Sequence, residues 1–246
     1  MMRRNTTILI IILLAIIFAA SLTVSFYLYS PKIMDSNIIS PSTPPSPTNY
    51  SSDLLGSTDY GYVVKEGPYG NISSNIKIAY IVGEHPQESN AHTAAVESIK
   101  IRNSTLKHCY YIYNVNVNMD GDDYTKGRNN GQLLANKYVL PDAVKEKFQL
   151  AVDVHSNVGN WAENTFIFAP VKEGSSESIG MEISRKINWL TYYVPPNPTS
   201  PEYLTIPLIN SGIPSVIYET YSKESYQTTR DRTDEFVKTV DELDNL

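Results

Sequence analysis

Three short stretches of this sequence carry side chains able to hold a metal ion and to move a proton. The first is Gly83-Glu84-His85-Pro86-Gln87-Glu88, in which His85 and Glu88 are spaced H-x-x-E. At a strand-to-helix turn, that spacing lets an imidazole nitrogen and a carboxylate converge on one cation at about 2.0–2.2 Å. The second is Asp153-Val154-His155-Ser156, where alternation along a strand puts Asp153 and His155 on one face. The third is Tyr218-Glu219-Thr220, a carboxylate at the end of the apolar run SVIYE. Two histidines and one glutamate form a zinc set of the catalytic kind. Three protein ligands leave a fourth position for water, and the ion lowers the pKa of that water towards neutrality.

A further group must then take up and return a proton, and Glu219 is the candidate; its alternative is a strand-end carboxylate paired with a lysine. Arg128 is the only arginine in the polar stretch 118–141, read here as a long loop. It can supply positive charge where a substrate carbonyl turns negative, or stay a solvated loop charge. Asp153 either orients the His155 ring from behind or caps nearby backbone. His92 lies two helical turns beyond His85 and is expected to pack on the sheet. His108 and Cys109 are expected to be structural. Asp120-Gly121-Asp122-Asp123 resembles the start of a calcium loop but lacks the later ligands, so it reads as a turn.

The elements that must position these groups follow from periodicity. IKIAYIV (76–82), CYYIYNVNV (109–117), QLAVDV (149–154), TFIFA (165–169) and SVIYE (215–219) are short apolar or alternating runs with many β-branched and aromatic residues, and read as strands. Residues 89–101 place Ala91, Ala94, Ala95 and Ile99 at helical spacing. Ile179, Ile183, Ile187 and Leu190 form the apolar face of a helix starting near Ser175 or Ser176. Phe236, Val237, Val240 and Leu243 line a closing helix. Strands alternating with helices indicate an α/β fold with a mixed, largely parallel sheet flanked by helices. In such sheets sites form outside the carboxyl ends of strands, and all three candidate stretches lie there.

Ahead of this domain, assigned to 59–246, the sequence changes character twice. Residues 8–29 are uncharged and largely aliphatic, long enough to span a hydrocarbon core of roughly 30 Å. Arg3 and Arg4 precede them. The positive-inside rule keeps residue 1 in the cytoplasm and sends the rest across the membrane. Residues 1–29 are therefore expected to be a single-pass signal anchor, the competing reading being a cleaved signal peptide. Residues 30–58 are rich in proline and serine and are expected to be an extended tether.

Composition narrows the function further. With 246 residues, a net charge of −6 and a pI near 5.3, the chain lacks the basic surface that nucleic acid requires. One cysteine excludes an internal disulfide and a cysteine-rich zinc site.

The order His85-x-x-Glu88, a polar segment with Arg128, a strand ending in His155, and a late Glu219 resembles the zinc carboxypeptidase family. That family includes the succinylglutamate desuccinylase and aspartoacylase group. The resemblance covers roughly residues 74–222. It implies that His85, Glu88 and His155 hold Zn2+ and that Glu219 is the general base. The segment Lys126-Gly127-Arg128-Asn129-Asn130-Gly131 departs from the family pattern, which has one arginine to polarise the carbonyl and an Asn-Arg pair for a substrate carboxylate. The expectation is a membrane-tethered, outward-facing zinc hydrolase that cleaves an amide bond of a peptide, or of an acyl-amino acid of the cell envelope. The alternative is an envelope-binding domain that keeps the fold without catalysis.

Overall fold

A computed structural model describes residues 50–244 and 246. At its centre is one eight-stranded sheet with the order β1-β2-β4-β3-β5-β8-β6-β7. The strands are β1 (Ser51–Thr58), β2 (Gly61–Gly70), β3 (Lys77–Val82), β4 (Cys109–Val117), β5 (Leu150–Asn157), β6 (Phe166–Phe168), β7 (Thr191–Tyr192) and β8 (Ser215–Tyr221). The central run β4-β3-β5-β8 is parallel, with β2 antiparallel at one side and β6 antiparallel at the other. The expected mixed α/β sheet is therefore present, and the five strands expected from periodicity are all in it.

Alternation along the central strands divides the core between two faces. Val152, Val154, Val216 and Tyr218 join the cluster under α1 (Ser89–Arg102), α4 (Ser175–Lys186) and α6 (Tyr226–Asp241). Ala79, Ile81 and Ala151 face the opposite layer, built from Leu134 of α2 (Tyr124–Leu134), Ala143 of α3 (Leu140–Glu146) and Leu208 of α5 (Thr205–Asn210). A π-helical turn, Ala135–Val139, joins α2 to α3. The alanines of α1 bring its backbone close to the sheet. Tyr218 stacks on Phe236 at 4.1 Å, an arrangement worth about 0.5–1.5 kcal/mol that ties β8 to α6.

Two segments depart from the sequence expectation. Ser51–Thr58, placed at the end of the tether, forms edge strand β1 and pairs with β2. Its largely polar, exposed side chains are what an outermost strand carries, and they also look like linker. Residues 118–141, read as a loop, contain α2, the π-turn and the start of α3. Asp123 caps α2, its Oδ1 accepting from the Thr125 and Lys126 amides at 3.0 and 2.9 Å. Asp120–Asp123 forms the turn expected of it. The helix begun at Ser175 ends at Lys186, yet Ile187 and Leu190 stay buried beyond it. Among the described residues no helix is long and apolar enough to cross a membrane. The proposed anchor, 1–29, lies outside them.

Candidate metal centre and substrate cavity

The first piece of the site is the turn after β3. Gly83 has φ +86, and a Cβ there would collide with the Val115 carbonyl of β4, so only glycine lets the chain leave the sheet this way. His85 follows, then a single 3-10 turn, Pro86–Glu88, that delivers Glu88 to the start of α1. A carboxylate is favourable at a helix N-terminus. His155 comes from β5, where the Ser156 amide donates to Glu88 Oε2 at 2.8 Å. Glu219 lies directly opposite His155 in the parallel register of β5 and β8.

These elements bring the three expected ligands together. The Nδ1 atoms of His85 and His155 are 2.9 Å apart; His85 Nδ1 is 3.0 Å from Glu88 Oε1, and His155 Nδ1 is 3.1 Å from Glu88 Oε2. Ligand atoms about 2.0–2.1 Å from one tetrahedral ion lie roughly 3.3 Å from one another. The observed spacing is close to that, and all three side chains are buried. The donor set therefore fits a divalent cation of the zinc type. Burial and the His155 charge lower His85 to about 4. Burial also opposes charge on His155, but Asp153 and Glu88 override it and hold that ring well above its usual value.

The supports behind the ligands are equally specific. Asp153 Oδ1 is 3.0 Å from His155 Nε2, and its Oδ2 accepts from the Thr205 hydroxyl at 2.7 Å. Asp153 thus faces the His155 ring and a side-chain hydroxyl, not backbone. Gln132 lies 3.2 Å from His85 Nε2. If Nδ1 were given to a metal, Nε2 would carry the proton and the Gln132 amide would present its oxygen to accept it. Arg128, one helical turn earlier on α2, donates from NH1 to Glu88 Oε1 at 2.6 Å, with its guanidinium 5.0 Å over the Tyr124 ring. It is therefore not a solvated loop charge.

Glu84 and Gln132 were missed in the sequence reading. Glu84 is fully buried, both its carboxyl oxygens lack hydrogen-bond partners, and it stands beside Asp153 and His155. Burial, then the Asp153 charge, push its pKa well above the ordinary carboxylate value. Glu84, Asp153 and His155 thus form a second group that could hold an ion, sharing His155 with the first. The H-x-x-E motif drew attention past Glu84 to its neighbour. Asp123, an N-cap residue type at the head of the segment, was the available sign of α2 and hence of Gln132. His92 is buried on α1, outside the ligand triple, and burial lowers it to about 4.

Glu219 is raised to about 7, first by burial and then by the nearby Glu88 charge. Its hydrogen-bond partner is Asn157 Nδ2 at 3.3 Å, not a lysine. Glu88, Arg128 and Glu219 together line one side of a cavity of about 440 Å3. Trp161, Phe168 and the segment 195–200 contribute to its other walls. The arrangement can bind a divalent cation, hold a carboxyl poised near neutrality, and place a guanidinium beside both.

An α/β sheet with this site at the carboxyl ends of β3, β5 and β8 has the carboxypeptidase-like fold. Among solved structures it resembles a metallo-carboxypeptidase from Burkholderia cenocepacia, at TM-score 0.53 and 10% identity, over 78% of this chain and 64% of that one. It also resembles a succinylglutamate desuccinylase/aspartoacylase from Rhodobacter sphaeroides, at TM-score 0.50 and 9% identity, over 81% and 67%. A third is the tripeptide-bound cell shape determinant Csd4 of Helicobacter pylori, at TM-score 0.50 and 8% identity, over 73% and 54%. No protein-family profile and no curated protein sequence matches.

Proposed function

We propose that this chain is a zinc-dependent amide hydrolase acting on a peptide or acyl-amino acid, tethered by residues 1–29 to the membrane with its catalytic domain outside the cytoplasm. The observation that carries this reading is the meeting of His85 Nδ1, His155 Nδ1 and the Glu88 carboxylate at a cavity that Glu219 and Arg128 also line. His85, Glu88 and His155 would hold the ion, which when bound supplies Lewis acidity and an acidified water.

The remaining chemistry belongs to the chain. Glu219, raised to about 7, takes the proton from water at its carboxylate and later returns it to the leaving amine. Arg128 is fixed by Glu88 and Tyr124 and presents positive charge where the carbonyl oxygen turns negative. Asp153 and Gln132 hold the two rings so that both Nδ1 atoms face one point. Peptide as the substrate class draws support from the tripeptide-bound structural neighbour. The complete set of ligands and base favours catalysis over a purely binding role.

The test is metal content together with turnover. The wild-type chain should hold one zinc per chain and hydrolyse members of a peptide and acyl-amino-acid panel. Glu219→Gln should keep the zinc and lose about 10²–10⁴-fold in rate; undiminished turnover in that variant would refute the mechanism. The location is tested by protease treatment of intact cells. Release of the domain fits the proposal, and full protection contradicts it.

A further inference from the structure

The cavity walls are short of positive charge. Among the described residues lining it, Arg128 is the only cation, and Glu88 and Glu219 are the only acids. That guanidinium, held 2.6 Å from Glu88 Oε1 and over the Tyr124 ring, is the charge assigned above to the scissile carbonyl oxygen, which leaves no second cation for a terminal carboxylate. Away from that cluster the walls are uncharged. Trp161 and Phe168 supply flat apolar surface, while Asn160, Asn197, Thr199 and Ser200 supply neutral polar groups. Asn157 is satisfied within the protein: its amide nitrogen donates to the Asn164 and Thr220 carbonyls, and its oxygen accepts from the Gly159 amide.

A carboxylate placed against such walls loses water and gains no opposite charge, which is costly. A backbone amide meets donors and acceptors of its own kind. We propose that the substrate occupies this cavity as an internal or end-blocked stretch of peptide, neutral where it meets these walls, with an apolar or planar side chain against Trp161. This rests on the hydrolase reading above and sets its substrate class: cleavage within a chain, not removal of a residue that bears a free terminal carboxylate.

Trp161 is one of two tryptophans. The other, Trp189, donates from Nε1 to Glu235 at 2.7 Å and does not line this cavity. Full-length Trp189→Phe protein in detergent, zinc-loaded and also carrying Glu219→Gln to stop turnover, is titrated with two peptides of one sequence. One peptide ends in a carboxylate and the other in an amide. Trp161 emission reports binding. The amide should bind as tightly as the acid or more tightly, and Trp161→Phe, with Trp189 retained and calorimetry as the readout, should weaken both peptides alike. Tighter binding of the acid by about tenfold, or no binding of either peptide, overturns the proposal. Hydrolysis by the Trp189→Phe single variant is followed by mass spectrometry. If the amide binds but neither peptide is cut, the hydrolase reading fails while the substrate class stands; if only the acid binds and is cut, the reverse holds.

Discussion

Gly131→Ala should damage the site from a distance. In most exposed helix interiors alanine is better than glycine by about 0.8–1.0 kcal/mol, so helix propensity alone predicts a more stable protein. Here α2 lies against the turn that carries His85. A Cβ on residue 131 would sit 2.7 Å from the Glu84 carbonyl carbon and closer still to its oxygen. Ordinary carbon contacts lie at about 3.5–4.0 Å, so α2 must retreat by about 1 Å. Retreat of that size lengthens the Arg128–Glu88 contact from 2.6 Å to about 3.6 Å, and the Gln132–His85 contact from 3.2 Å beyond hydrogen-bond range. A misplacement of about 1 Å around reacting groups costs up to about 10²-fold. Overpacking, at about 1–3 kcal/mol, outweighs the propensity gain. The assay is kcat/KM with zinc supplied, together with Tm by calorimetry. Both should fall. A variant with a raised Tm and wild-type kcat/KM would show that α2 is not held against the turn as described.

Further predictions concern the supports of the fold and site. Gln132→Ala should weaken zinc binding about 10–100-fold by freeing the His85 ring, measured by competition with a chelator of known affinity. Glu84→Gln copies the neutral acid and should leave zinc stoichiometry and Tm unchanged; loss of a zinc equivalent would make Glu84 a ligand. Buried Lys65 donates to Asp142 at 2.8 Å and Glu146 at 2.7 Å, so Lys65→Met should destabilise by about 1–3 kcal/mol in chemical denaturation, given the partial exposure of the acids. The pH dependence has a definite sign. Burial would raise Glu146, but Lys65 and Lys77 outweigh it and hold the carboxyl below 4.5. Its stabilisation is therefore present above pH 4.5 and fades as pH falls through the lower folded value. The gap between wild type and Lys65→Met should narrow in acid.

The strands that carry the chemistry were legible because burial on both faces leaves short, mostly apolar runs in β3, β5 and β8, interrupted in β5 and β8 toward their carboxyl ends by the polar groups themselves. The proposed metal triple was legible because each of its residues ends or follows such a strand. The hairpin β1–β2 was not. The inward positions of β2 are Gly61, Val63, Lys65, Gly67 and Tyr69, and Lys65 becomes an inward residue only through acids of α3, which local sequence does not reveal. Helix α2 was hidden by Gly127, Gly131 and two asparagines, poor helix formers. The close approach to Glu84 that requires Gly131 is a tertiary fact. Glu84 and Gln132 were missed for the same reason: each reaches the candidate triple only through a tertiary contact, Glu84 beside His155 and Gln132 beside His85.

The strand order has a consequence for how the protein is made. His85 follows β3, while His155 and Glu219 lie on the neighbouring β5 and β8, yet they are synthesised far apart, and β8 is the last strand of the sheet to leave the ribosome. The ligands can meet before then, but the proton carrier cannot join them. On the proposed mechanism, a chain released upstream of Ser215 would lack Glu219 and could not turn over an amide bond, whatever metal it had gathered.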